Sequence, residues 1–210
     1  MRSFGSTRSP RGKPPIRRFL RVIGNDHPKA CTGRRLLQRG LAEAVMGSTV
    51  PAEPPVVLDP YAPEPLSRAD VATAERGGVL AVDCSWNQLS EVGRLPGGDE
   101  PRRGVRRRLP FLVATNPQHY GRLGELNTVE ALGAALYVLG RPEEAAGILE
   151  GFAGGPAFLE VNRERLDRFA AATDAEATRR AERGMYGGTE HSTRSSGPTA
   201  QSPASRPPRP

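Results

Sequence analysis

Short apolar runs that stop abruptly on polar or turn-forming residues govern what this chain can become. Ala81-Val82-Asp83-Cys84-Ser85-Trp86, the run Leu-Pro-Phe-Leu-Val-Ala-Thr-Asn-Pro from Leu109, and Leu126-Asn127-Thr128-Val129-Glu130-Ala131-Leu132 all follow this pattern. In an α/β sheet, ligands bind in the crevice beyond the carboxyl ends of the strands. A strand closing on Asp83 beside the single tryptophan of the chain therefore places chemistry at such an edge.

Around this feature the spacing predicts an ordered series of elements. Ile16 to Ile23 reads as a strand, followed by a polar loop over 24–31. A helix over about 33–44 has Thr32 at its cap and Leu36, Leu37 and Leu41 at helical spacing. Val56-Val57-Leu58 is a short strand, and Ser67 with Asp70 opens a helix in the manner of a capping box. Gly78 releases the chain into a strand Val79–Asp83. Residues 92–108, rich in Gly and Arg, are expected to form a long surface loop, and Phe111 to Thr115 a further strand. From Asn127 the pattern becomes helical, over about 127–139, 142–152, 156–172 and 174–184, with Gly140 suited to a helix end and Pro142 to a first turn. The expected organisation is a disordered basic arm over 1–15, an α/β domain over 16–115, a helical domain over 116–185 and a disordered tail over 186–210. The two ends hold too little apolar surface to offset the entropy of ordering.

The 210 residues carry a net charge of +7, which suggests an acidic polymer as partner, but the charge is unevenly placed. Residues 1–21 hold seven Lys/Arg and no Asp/Glu, and residues 185–210 hold three against one, leaving 20 against 22 in the body. Within that nearly neutral body, Arg102, Arg103, Arg106, Arg107 and Arg108 crowd one segment. Five guanidiniums repel one another unless an anion comes near, and a phosphate backbone is the usual one. Two cysteines, neither in a CxxC pair, make no disulfide framework and fit a reducing cytoplasm. No apolar run approaches the length of a membrane span.

Three segments hold candidate chemistry. Thr32, between the loop 24–31 and a helix start, is suited to capping that helix or to binding a ligand carboxylate. Asp26, His27 and Cys31 lack a second cluster that would complete four ligands, so no metal is expected. Asp83 is suited to accept a proton, to orient a nucleophile or to bond loop amides. Trp86 offers a face to a cation such as a sulfonium, or fills the core. His119, in the turn-rich Asn116-Pro117-Gln118-His119-Tyr120-Gly121, reads as a general base or as a structural residue.

Taken together, several blocks resemble the small-subunit rRNA aminocarboxypropyltransferase family of archaea and eukaryotes. They are Pro28-Lys29-x-Cys31-Thr32-Gly33-Arg34, Leu66-Ser67-x-Ala69-Asp70, Val82-Asp83-Cys84-Ser85-Trp86, Arg107-x-Leu109-Pro110-x-Leu112-Val113-Ala114, Asn116-Pro117, Tyr120-Gly121-Arg122, Leu126-x-Thr128-Val129-Glu130-Ala131-Leu132 and Phe158-Leu159-Glu160-x-Asn162. His119 departs from the Asn usual in that family. The resemblance implies a SPOUT-like α/β fold with a deep trefoil knot followed by a helical carboxyl-terminal part. It also implies transfer of the 3-amino-3-carboxypropyl group of S-adenosylmethionine to N3 of an N1-methylpseudouridine in small-subunit rRNA or a pre-ribosomal particle, by a monomer.

On this resemblance Trp86 and Leu89 cover the methyl group, and Thr32 and Thr128 hold the amino acid end. The adenine lies near Leu109, Gly124 and Leu126. Asp83 stabilises the sulfonium or accepts the N3 proton, and the arginine segment with the basic arm grips RNA phosphates. The alternatives are a methyltransferase on the same scaffold, a non-catalytic pre-rRNA-binding assembly protein, and, more distantly, a metal or iron–sulfur protein.

Overall fold

Successive side chains of a strand face opposite sides of its sheet, and that alternation builds two cores here. The computed structural model describes residues 14–23, 32–45, 51–84, 86, 93, 95 and 104–187. Strands β1 (Arg18–Val22), β2 (Glu43–Ala44), β3 (Val56–Leu58), β4 (Val79–Asp83) and β5 (Val105–Arg107) pair in parallel in the order β2-β1-β4-β3-β5. Phe19, Val57 and Leu80 share one face with Val45. Leu20, Val56, Leu58, Val79 and Ala81 share the other, in one cluster with Leu36, Leu132, Leu136, Phe158 and Phe169. Sheet and helices are therefore joined through a common core.

The helices are α1 (Thr32–Gln38), α2 (Val71–Gly77, after a 3-10 turn Arg68–Asp70), α3 (Thr128–Val138), α4 (Pro142–Leu149), α5 (Gly155–Val161), α6 (Arg163–Ala171) and α7 (Ala175–Tyr186). Because the strands are parallel, Asp83, closing β4, and Asp59, just past β3, reach the same edge of the sheet. Among the described residues no helix is long and apolar enough to cross a membrane.

Several expectations need correction. The helix expected over 33–44 ends at Gln38, because Gly40 adopts a φ of 66° and the chain closes with Leu41 N–H on Leu36 O and Gly40 N–H on Leu37 O, both at 3.0 Å. Glu43 and Ala44 are thereby freed to pair with β1. Phe111 to Thr115 does not join the sheet. Its backbone is matched instead by the following turn, with Ala114 N–H on Arg122 O and Gly124 N–H on Leu112 O at 2.8 Å, and by the side chain of Asn162. That amide accepts from Val113 N at 2.8 Å and donates to Val113 O at 2.9 Å. Asn162 is wholly buried, and its backbone (φ −101°, ψ 7°) divides the helix expected over 156–172 into α5 and α6.

The arginine segment differs most. Val105–Arg107 is strand β5 rather than loop, and the anions its side chains need come from the chain itself. Arg106 pairs with Asp59, Arg107 Nε donates to Asp70 at 2.9 Å, and Arg108 forms a two-pronged pair with Glu182, both contacts at 2.7 Å. Arg102 and Arg103 lie outside the described residues, as do residues 1–13 and 188–210. The Arg108–Glu182 pair is mostly shielded from solvent, so Arg108→Ala is expected to lower the unfolding free energy by about 2–3 kcal/mol. Urea titration checks this. Glu182 also accepts Phe111 N–H at 3.2 Å, so the same substitution loosens the chain between β5 and the turn.

Candidate functional site

A cavity of about 520 Å³ opens at the carboxyl edge of the sheet, within the range of roughly 300–1,000 Å³ common for small-molecule sites. Its wall brings together Thr32, Asp83, Trp86, Leu109, Gly124, Leu126 and Thr128. These are separated by up to about a hundred positions in sequence, yet each was singled out as a cofactor-site candidate. Leu89, the eighth, lies outside the described residues, as do Asp26, His27 and Cys31.

Asp83 organises the centre of this wall. Its Oδ1 accepts the Thr128 hydroxyl hydrogen, joining the end of β4 to the first residue of α3. On the other side, α1 approaches so closely that a Cβ on Gly33 would stand 2.4 Å from Asp83 Oδ2 and 2.9 Å from Leu20 Cδ2. Only glycine leaves that carboxylate in place. Gly33→Ala is expected to cost about 1–3 kcal/mol of stability through overpacking and to displace Asp83; thermal melting and a crystal structure of the variant check both. The indole is fixed separately, as Trp86 Nε1 donates to Leu126 O at 3.1 Å. An anchored aromatic face beside a carboxylate suits a cationic, partly apolar ligand.

Comparison with known proteins identifies the family of this chain. Residues 56–186 match the protein family described as "Ribosome biogenesis protein, C-terminal". The 16S rRNA aminocarboxypropyltransferase of Methanopyrus kandleri is 45% identical over 153 residues, covering 72% of this chain and 88% of that protein. The chain belongs to the rRNA aminocarboxypropyltransferase family. Another similar member, the 18S rRNA aminocarboxypropyltransferase of Schizosaccharomyces pombe, is 37% identical over 167 residues, or 78% of this chain and 55% of that longer protein. The solved structure of the SAM-dependent rRNA:acp-transferase Tsr3 from Vulcanisaeta distributa superposes with a TM-score of 0.68 at 32% identity, covering 83% of this chain and all of that one. The mixed α/β architecture with its parallel sheet is thus the architecture of an aminocarboxypropyltransferase.

Around this cavity stand residues that the sequence did not assign to it: Asp59, Pro60, Pro110, Phe111, Gln118 and Asn127. Phe111 is placed by α7, whose Tyr186 hydroxyl donates to Phe111 O at 2.7 Å while the two rings meet edge to face at 6.1 Å. Asn127, also on the lining, is held by Glu130, a carboxylate 1% exposed. It accepts from Thr115 N at 2.7 Å, Thr115 Oγ1 at 2.9 Å, Asn116 Nδ2 at 2.7 Å and Asn127 N at 2.9 Å. His119 also lines the cavity, with its Nδ1 in hydrogen-bonding contact with Glu125 Oε2. Nothing in the spacing of six residues announces that pair, because a turn and not a helix brings the two side chains together. Asp59 follows β3, and nothing in the spacing around Val56-Val57-Leu58 marks it as part of a site.

Proposed function

We propose that this chain transfers the 3-amino-3-carboxypropyl group of S-adenosylmethionine to N3 of an N1-methylpseudouridine in small-subunit rRNA. The observation that carries the reading is the meeting of Trp86, Asp83, Thr32 and Thr128 around one cavity at the carboxyl edge of a parallel sheet. The names of its relatives support it: 16S and 18S rRNA aminocarboxypropyltransferases, and a SAM-dependent transferase of the same fold. S-adenosylmethionine supplies a sulfonium bearing three carbons, so the group that leaves is decided by which carbon faces the RNA.

The chain's residues fit that donor. Trp86, locked by its bond to Leu126 O, covers the methyl side together with Leu89. Thr32 and Thr128 flank Asp83 and receive the amino acid end. Leu109, Gly124 and Leu126 make the apolar slot for the adenine. Asp83, held between α1 and α3, attracts the sulfonium and orients the donor; because sulfur loses its charge as the group leaves, this contribution is to binding and positioning.

Phosphate contacts fall to the basic amino-terminal arm, to Arg102 and Arg103, and to Arg106, whose side chain is 44% exposed beside Asp59. Arg107 and Arg108 serve the fold first. Such contacts give affinity with little sequence reading. The same proposal carries the SPOUT-like trefoil knot, a helical carboxyl-terminal part, a monomer working in the cytoplasm, and an rRNA still in a pre-ribosomal particle.

Incubation with two batches of S-adenosylmethionine, one labelled in the methyl and one in the carboxyl, tests the reaction. Carboxyl label alone is expected in the RNA. Methyl label would make the chain a methyltransferase, and neither label with RNA still bound would make it an assembly protein.

A further inference from the structure

We propose that the mouth of the cavity is a stacking platform for unpaired bases of the rRNA strand, with Tyr120 as its main face and Tyr61 as a second. This rests on the reading above for its partner, an rRNA strand, and deepens it by naming how the base is received.

The described residues expose four large hydrophobic side chains: Tyr61 at 42%, Tyr120 at 71%, Leu123 at 38% and Val161 at 42%. Three of them stand next in sequence to residues of the cavity lining, Tyr61 to Pro60, Tyr120 to His119 and Leu123 to Gly124. Single exposed apolar residues are ordinary, but a group of them around one opening marks a binding surface.

Tyr120 is carried on a fixed turn. Arg122 N–H closes on His119 O at 3.0 Å, Gly121 N–H on Ala114 O and Ala114 N–H on Arg122 O, both at 2.8 Å, and Val113 bridges to Leu123. His119 N–H also donates to Asn116 Oδ1 at 3.0 Å, and Asn116 Nδ2 to the buried Glu130 at 2.7 Å. A ring held on such a backbone has less freedom to lose when a base settles on it. Tyr61 is set by its N–H on Asp59 Oδ1 at 2.9 Å. Burial, then the charges of Asp59 and Cys84, both lining residues, hold the Tyr61 hydroxyl above its ordinary value, so this ring stays a neutral phenol.

The reaction calls for such a surface. N3 lies on the edge through which a uridine-like base pairs, so the base must arrive unpaired and out of its stack, at a cost in free energy. With the donor inside the cavity, the base is met at the mouth. Aromatic faces there restore the stacking that the base and its neighbour give up. Arg108, on the lining, is already paired with Glu182, so its charge is met within the fold.

Full-length wild type, Tyr120→Ala, Tyr120→Phe and Tyr61→Ala are titrated with a single-stranded RNA oligonucleotide carrying N1-methylpseudouridine at its centre, and with the same RNA annealed to its complement. Tyr120→Ala is expected to bind the single strand about 10- to 100-fold more weakly, as loss of one base–aromatic stack implies, Tyr61→Ala several-fold more weakly, and Tyr120→Phe within about twofold of wild type. Duplex binding is expected to change by less than about twofold, and the slope of log affinity against log salt to stay the same, because no phosphate contact is lost. Affinity for S-adenosylmethionine and the melting temperature of Tyr120→Ala stay at their wild-type values, which excludes a folding defect. Single-strand affinity of Tyr120→Ala within about twofold of wild type overturns the platform, as does an equal loss on the duplex or a flatter salt slope. Binding is read apart from transfer. A wild type that moves no carboxyl label yet shows this tyrosine dependence keeps the platform and loses the transfer reading.

Discussion

Glu130→Ala is expected to lower the unfolding free energy by about 3–5 kcal/mol, roughly a third or more of the stability of an ordinary domain. The carboxylate is 1% exposed and serves four donors, two of them on Thr115 and one on Asn116, which are themselves only 4% and 2% exposed. Alanine leaves Thr115 N and Asn127 N with no acceptor and Asn116 Nδ2 with only the 3.4 Å contact to Glu125 O, while the Thr115 hydroxyl keeps Gly154 O; the cost is about 1–3 kcal/mol for each donor that water cannot reach. It also removes half of the reciprocal cap at the start of α3, where Asn127 accepts Glu130 N–H and Glu130 accepts Asn127 N–H. Glutamine does not rescue, because its amide NH2 must face at least one of the same donors. Denaturant unfolding of both variants checks the magnitude, with little recovery in Glu130→Gln as the diagnostic.

The second large effect falls on the ligand. Trp86→Ala is expected to weaken S-adenosylmethionine binding by about 100-fold, close to 2.7 kcal/mol, by removing an apolar wall and an aromatic face for the sulfonium. Trp86→Phe keeps most of the surface but not the bond to Leu126 O, and a loss of only a few-fold is expected. Calorimetric titration separates the two. Equal affinity in all three proteins would put the ligand elsewhere.

Much of this site was readable because its residues sit at ends of elements. The strand Val79–Asp83 is read from an apolar run and the glycine before it, and the helix start near Asn127-Thr128 from the change to a helical pattern. That ends of elements meet at one sheet edge is legible in the sequence; that Thr32, Asp83, Trp86 and Thr128 share one site there is what the family resemblance implies. What escaped depends on partners distant in sequence. Arg106, Arg107 and Arg108 look like an open cationic loop until Asp59, Asp70 and Glu182 come up beside them. Phe111 to Thr115 has the composition of a strand, but the Asn162 amide, 49 residues from Val113, takes the place of a neighbouring strand. His119 reads as solitary because Glu125 reaches it across a turn.

Since Trp86 is the single tryptophan of the chain, its fluorescence reports on the cavity alone. Titration of the full-length protein with S-adenosylmethionine is predicted to change that emission saturably, with a dissociation constant equal to the calorimetric one. Calorimetric binding with no change in Trp86 emission, or no binding at all, would contradict the placement of the donor between the indole and Asp83.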